Sequence, residues 1–180
     1  MVDQLQKGFT IGCDPEYMFI DRGSLKVVPA HNFVEGTKAH PARVHNNFAT
    51  QVDGFAAELN TKPTDNLYEF LDYVQGGVDF LEDVGKENQC SILRTDCILI
   101  SDDVFNDAPD DIKELGCDPD YDAWTGLRNR PVNPDTRVRT LAGHIHIGFP
   151  EVSSDPVEHT NQCTALVKTL DHVFLSHYLD

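Results

Sequence analysis

Three separated stretches of this chain alternate between apolar and polar residues with a period of two, and the polar side of each carries metal-type ligands. From Phe9 to Asp21 the odd positions read Phe9, Ile11, Cys13, Pro15, Tyr17 and Phe19, and the even ones Thr10, Gly12, Asp14, Glu16 and Met18. From Thr50 to Asn60, Phe55, Ala57 and Leu59 share one side while Ala56, Glu58 and Asn60 share the other. From Arg137 to Phe149, Ile145, Ile147 and Phe149 oppose His144, His146 and Gly148. A period of two is that of a β-strand, whose successive side chains point to opposite faces. A slip of one residue would exchange the two faces, so the pattern constrains register as well as element type.

Between these strands the signals change. Asp21-Arg22-Gly23-Ser24 reads as a hairpin turn into Leu25–Ala30, and the His/Asn-rich residues 31–47 as a loop or irregular strand. Pro63-Thr64 marks a helix start, followed at helical spacing by Leu67, Phe70, Leu71, Val74, Val78, Leu81 and Val84. Gly76-Gly77 weakens that helix without ending its pattern. Ser91–Ile100 reads as a further strand, and Asp102–Asp111 as an acidic loop. Residues 107–135, rich in Pro, Gly, Asp and Asn, predict little regular structure beyond a turn of helix at 109–115. Asp155-Pro156 opens a last helix with Val157, Leu166, Val167, Leu170, Val173 and Phe174 on its apolar side. Strands and helices do not alternate strictly, which predicts an α+β fold: an antiparallel sheet with helices on one face, formed by residues 1–180 as a single domain.

Charge narrows the function. Thirty acidic residues oppose 14 basic ones, a net charge of −16 in 180 residues. Such a surface repels phosphate backbones and argues against a nucleic-acid partner. No run of about 20 apolar residues predicts a membrane span. The first eight residues lack a basic-then-apolar leader pattern. The five cysteines are odd in number and include no Cys-x-x-Cys, consistent with thiols in a reducing compartment. The expected location is therefore the cytoplasm.

If the apolar faces of the strands pack on the helices, the polar faces line one concave sheet surface. Asp14, Glu16, Glu58, Asn60, His144 and His146 would converge there. Hard oxygen ligands suit Mg²⁺ or Mn²⁺, and histidine widens the choice toward Zn²⁺ or Fe²⁺. Gly12, Gly54, Gly143 and Gly148 flank these sites, as glycines do where a strand bulges or a ligand approaches the backbone. One alternative is a hydrolase or oxygenase with a single transition metal held by Glu58, His144 and His146. Another is a non-catalytic relic that serves as a binding module.

Four segments in order, "IGCDPEYMF", "DGFAAELNTKP", "GCDPDYDAWTG" and "LAGHIHIGFP", resemble the phage-type carboxylate–amine ligases. These phage amidoligases (COOH-NH2 ligase type 2) belong to the glutamine synthetase/glutamate–cysteine ligase superfamily. The likeness runs from about residue 9 to residue 177. It implies a curved antiparallel sheet of glutamine synthetase-like fold that cradles ATP and Mg²⁺ (or Mn²⁺). ATP would phosphorylate a substrate carboxylate, and an amine would attack the acyl phosphate to give an amide. The acid and the amine would each be an amino acid, peptide or protein. On this resemblance Asp14, Glu16, Glu58 and His144 match metal ligands, with Glu16, Glu58 and His144 central to catalysis. His146 and Asn60 match nucleotide or substrate contacts. Arg128, Arg130, Arg137 and Arg139 are candidate phosphate contacts, with Arg128 and Arg139 preferred. A phage-encoded enzyme of this kind would work in the host cytoplasm.

The family continues past a helix ending near Tyr178 into an Arg-rich segment and a further strand, whereas this chain stops at Asp180. The expectation is a catalytic fold lacking its last strands, completed by self-association or by a complementing C-terminal chain. The repeated hexapeptides "GCDPEY" and "GCDPDY" have different flanks and do not read as a duplication. The second matches the family's mid-chain segment and is expected to border the site, with Asp118 or Asp120 facing it.

Overall fold

The period-two segments do form antiparallel strands, but each is broken into two. The computed structural model describes residues 8–115, 121–130 and 136–175. It is a mixed α+β structure with antiparallel, open sheets and four α-helices among the described residues. These residues divide into two compact units, one containing 8–115 and 136–150, the other 121–130 and 151–175.

In the first unit the opening strand divides at Asp14-Pro15 into β1 (Thr10–Cys13) and β2 (Glu16–Asp21). Proline has no N–H for a ladder, so a break falls naturally there. The second alternating stretch is a hairpin, β4 (Phe48–Asp53) and β5 (Ala56–Thr61), with β3 (Val27–Val28) earlier in the chain. The expected strand at Ser91–Ile100 divides into β6 (Cys90–Leu93) and β7 (Cys97–Leu99). The one at Arg137–Phe149 divides into β8 (Val138–Thr140) and β9 (Ile145–Gly148). The central line β1–β2 borders β5 along one edge. Glu16 faces Glu58 there, and Ile11 and Thr64 exchange backbone hydrogen bonds of 2.8 and 3.0 Å. Along its other edge β9 pairs with β1, and β6 with β2. The breaks let one line of chain change neighbours partway.

Helix α1 (Leu67–Glu87) starts later than Pro63-Thr64 because Thr64 is still pairing with Ile11. Asn66 caps it, its side chain accepting from the N–H groups of Tyr68 and Glu69. Its inner face buries Val78 and Leu81 against Phe19, Ala57, Leu59 and Cys90. The opposite sheet face is not open along its whole length. Met18, Ala56 and Val27 on that face enter a second core with Phe55, Ile100, Ala108, Ile112 and Leu141. The acidic stretch supplies part of this cover as two short helices: α2 (Asp102–Asp107), where a loop was expected, and α3 (Asp110–Lys113), within the turn of helix expected at 109–115. Aspartates fill the first turn of both, where a helix favours negative charge.

The second unit contains α4 (Pro156–Leu175), capped by Asp155, whose Oδ1 accepts from Val157 and Glu158. Here Asp122 Oδ1 closes a turn by accepting from the N–H groups of Trp124 and Thr125 at 2.8 Å. The Trp124 indole N–H donates to Asp171 at 2.8 Å, and Lys168 lies over its ring. Among the described residues, no helix is long and apolar enough to cross a membrane.

The two adjacent glycines of α1 have opposite roles. Gly77 lies directly on Leu59, and a Cβ there would stand 2.8 Å from Leu59 Cδ1. At Gly76 a Cβ would meet only the Phe48 ring, at an ordinary 3.6 Å. Gly76→Ala is expected to stabilise the protein by roughly 0.5–1 kcal/mol through helix propensity. Gly77→Ala is expected to destabilise it by about 1–3 kcal/mol through overpacking. Urea unfolding of both variants measures the two signs.

Candidate functional site

The ladder between β2 and β5 makes the site. Because Glu16 pairs with Glu58 in register, their side chains leave the same face side by side. The chain reverses at Gly54-Phe55, so β4 lies on the other side of β5 and places Gln51 opposite Glu58 and Asp53 opposite Ala56. Gly54 sits at φ +55°, as the first position of a tight two-residue hairpin loop requires. Carboxylate oxygens of Glu16, Asp53 and Glu58 thereby come within 4.8 Å of one another. Asp53 is a member of this cluster that the sequence reading missed. Its signal was the Asp53-Gly54 dipeptide, which marks a hairpin inside what alternation presented as one strand.

Each acid has defined surroundings. Burial pushes the Glu16 carboxyl up; the Ala142 N–H, 3.0 Å away, opposes this, and the charge of Asp53 adds to it. Burial likewise pushes Glu58 up, to about 7, against a 2.9 Å hydrogen bond from Gln51 Nε2 and with the charges of Asp53, Asp14 and Glu16. Asp53 is paired with Lys38 Nζ at 3.1 Å.

A second group adjoins at the strand break. Asp14 Oδ2 lies 3.0 Å from His146 Nε2, and both its oxygens lie 3.2 Å from His144 Nδ1. Its Oδ1 also accepts the His144 backbone N–H. Burial alone would raise Asp14, but that N–H and the two rings outweigh it and hold the carboxyl below its ordinary range. The two imidazoles thus grip Asp14, and Asp14 and His144 act electrostatically on Glu16.

The remaining candidates divide. Asn60 is on the same face as Glu58, and its enclosed amide nitrogen donates to no acceptor among the described residues. Arg139 is a packing residue: it is buried, its guanidinium lies about as far from the Phe55 as from the Phe105 ring, and it donates to the carbonyls of Thr136, Val138 and Lys113. Those donors are spent on backbone, which removes it as a ready phosphate contact. Arg137 pairs with Asp102. Arg128 and Arg130 belong to the second unit, where Arg128 bridges to Tyr121. Asp118 and Asp120 lie outside the described residues.

No family model matches the chain, and no curated protein or solved structure matches it significantly. The chemistry of the site therefore rests on its own residues. Three carboxylates facing one another, two of them pushed up by burial, form an arrangement that a cation would relieve. Glu16, Asp53 and Glu58 suit a hard divalent ion such as Mg²⁺ or Mn²⁺, and Asp14 adds a fourth oxygen-bearing group close by.

Glu58 gives a pH test without any ion. From its ordinary value of 4.5 up to about 7, native Glu58 holds a proton that the unfolded chain has released. Stability from this group therefore falls as pH rises through that window. Glu58→Gln, which carries no charge to bury, is expected to melt above the wild-type protein at pH 8. The gap should shrink toward pH 5. Calorimetric melting temperatures at both pH values check this, and an equal gap at both would show that the Glu58 surroundings do not hold its proton.

Proposed function

We propose that this chain is a metal-dependent, ATP-using carboxylate–amine ligase, or the catalytic part of one. The observation that carries the reading is the convergence of Glu16, Asp53 and Glu58 from three strands on one sheet face, with Asp14, His144 and His146 at the adjoining strand break. Three of the four segments that resemble phage amidoligases, "IGCDPEYMF", "DGFAAELNTKP" and "LAGHIHIGFP", supply Asp14, Glu16, Asp53, Glu58, His144 and His146. A glutamine synthetase-like fold is part of the same proposal. Its support is the antiparallel sheet, with α1 on one face and acids on the other.

The roles follow from position. Glu16, Asp53 and Glu58 would hold Mg²⁺, which would bind the polyphosphate and offset charge developing during phosphoryl transfer to a carboxylate. Gln51 fixes the Glu58 carboxylate through its 2.9 Å hydrogen bond. The Ala142 N–H does the same for Glu16. Asp14 orients both imidazoles, so His144 and His146 present a fixed pair of nitrogen-bearing rings beside the acids. Asn60 shares that face, but its amide nitrogen is enclosed, so a substrate contact there rests on the resemblance alone. With a net charge of −16, the protein needs a cation at this face to accept a nucleotide. The acid and the amine would each be an amino acid, peptide or protein.

Thermal unfolding tests the proposal. The melting temperature is expected to rise by several degrees with Mg²⁺ and ATP together, and by less with either alone, because ligands stabilise the state they bind. Glu16→Gln should abolish most of the joint shift. A shift with Zn²⁺ alone and none with Mg²⁺-ATP would instead favour a single-metal site on His144, His146 and Glu58. The absence of any shift would overturn the ligase reading for this chain.

A further inference from the structure

A cation that pairs with the acidic cluster comes from the His/Asn-rich stretch 31–47, to which the sequence assigns no function. Residues 35–42 run along the outer edge of β4. The Val52 N–H donates to Gly36 O at 3.0 Å, Thr50 and Ala42 exchange two hydrogen bonds, and the Thr50 hydroxyl donates to Glu35 O. Thr37 and His40 then close a tight turn with reciprocal backbone bonds of 3.1 and 3.0 Å. Lys38 lies within that turn. Its backbone is thus tied to the sheet, while its side chain remains 46% exposed and reaches an Asp53 side chain that is only 6% exposed.

An ammonium on a four-carbon stem is a compact charge that can exchange partners without moving the backbone. A divalent ion among Glu16, Asp53 and Glu58 would sit close to it with the same sign, and a phosphate on that ion would offer it a new anion. Resting on the reading of this cluster as a Mg²⁺-nucleotide site, we infer that Lys38 is an exchanging counter-ion. It neutralises Asp53 before the metal arrives, and it contacts the nucleotide phosphates once metal and nucleotide are bound. The role assigned from sequence to Arg128 or Arg139 thereby passes to Lys38.

Such an exchange has a signature of two opposite signs. Calorimetric titration of Mn²⁺ alone into Lys38→Gln is expected to give an affinity about threefold above the wild-type protein, because a competing cation is gone. Titration of the β,γ-imido analogue of ATP into the Mn²⁺-saturated variant is expected to show an affinity about tenfold below wild type. Lys38→Arg keeps the charge and should restore both values toward wild type. Unchanged affinities, or two changes of the same sign, would overturn the exchange while leaving the metal site standing. If neither the wild-type protein nor Lys38→Gln binds Mn²⁺, the metal reading fails and the exchange fails with it. Lys38 is exposed on a surface turn, and matching far-ultraviolet circular dichroism confirms that the variant has folded.

Discussion

Backbone hydrogen bonds between β2 and β5 hold Glu16 beside Glu58, and neither can step aside without carrying its whole strand to the wrong face. The register is enforced from behind. Phe19, Ala57, Leu59, Val78 and Leu81 pack between the sheet and α1, and each large member contributes roughly 1.5–3 kcal/mol by leaving water. Repulsion between neighbouring carboxylates is smaller than that sum, and a proton or a cation diminishes it further. The core therefore wins, and like charges are held together by apolar packing on the reverse side of the same strands. Gln51, the Ala142 N–H and Lys38 are the local responses to that imposition.

Much of this was legible in the residue order. Period-two alternation assigned Glu16, Glu58, Asn60 and His146 to their faces, and the observed registers keep those assignments, while Asp14 and His144 lie just outside the paired strands. Alternation is blind to where a strand changes partner, because a break preserves parity. That is why the stretches at 9–21, 91–100 and 137–149 each turned out to be two strands. The Gly54-Phe55 reversal inverts parity instead: Gln51 and Asp53 share the face of Glu58, and Phe55, expected beside Ala57 and Leu59, joins Met18 and Ala56 in the other core. Arg139 was misread for a different reason. An arginine in a polar segment looks like a surface cation, and only the tertiary placement between Phe55 and Phe105 shows it as packing. The aspartates at 102–107 read as a loop because charge hides the short helix α2, whereas the helical turn expected at 109–115 is α3, anchored by Ile112.

The second core explains why one sheet face serves two purposes. Met18 and Ala56 follow Glu16 and Glu58 along the same sides of β2 and β5, yet they are covered by Ile100, Ile112 and Leu141. Polar chemistry is confined to the part of that face which this layer leaves. The acids border an apolar wall, and their partial desolvation follows from that wall. Burial is accordingly the largest influence on both Glu16 and Glu58.

The single tryptophan, Trp124, lies in the other unit, bonded to Asp171 and shadowed by Lys168. Indole emission consequently reports on the neighbourhood of α4. The chain thus carries a built-in optical label for one of its two units. Tyrosine emission and far-ultraviolet ellipticity draw on residues of the sheet-bearing unit as well, so comparing these signals reveals whether the two units melt as one.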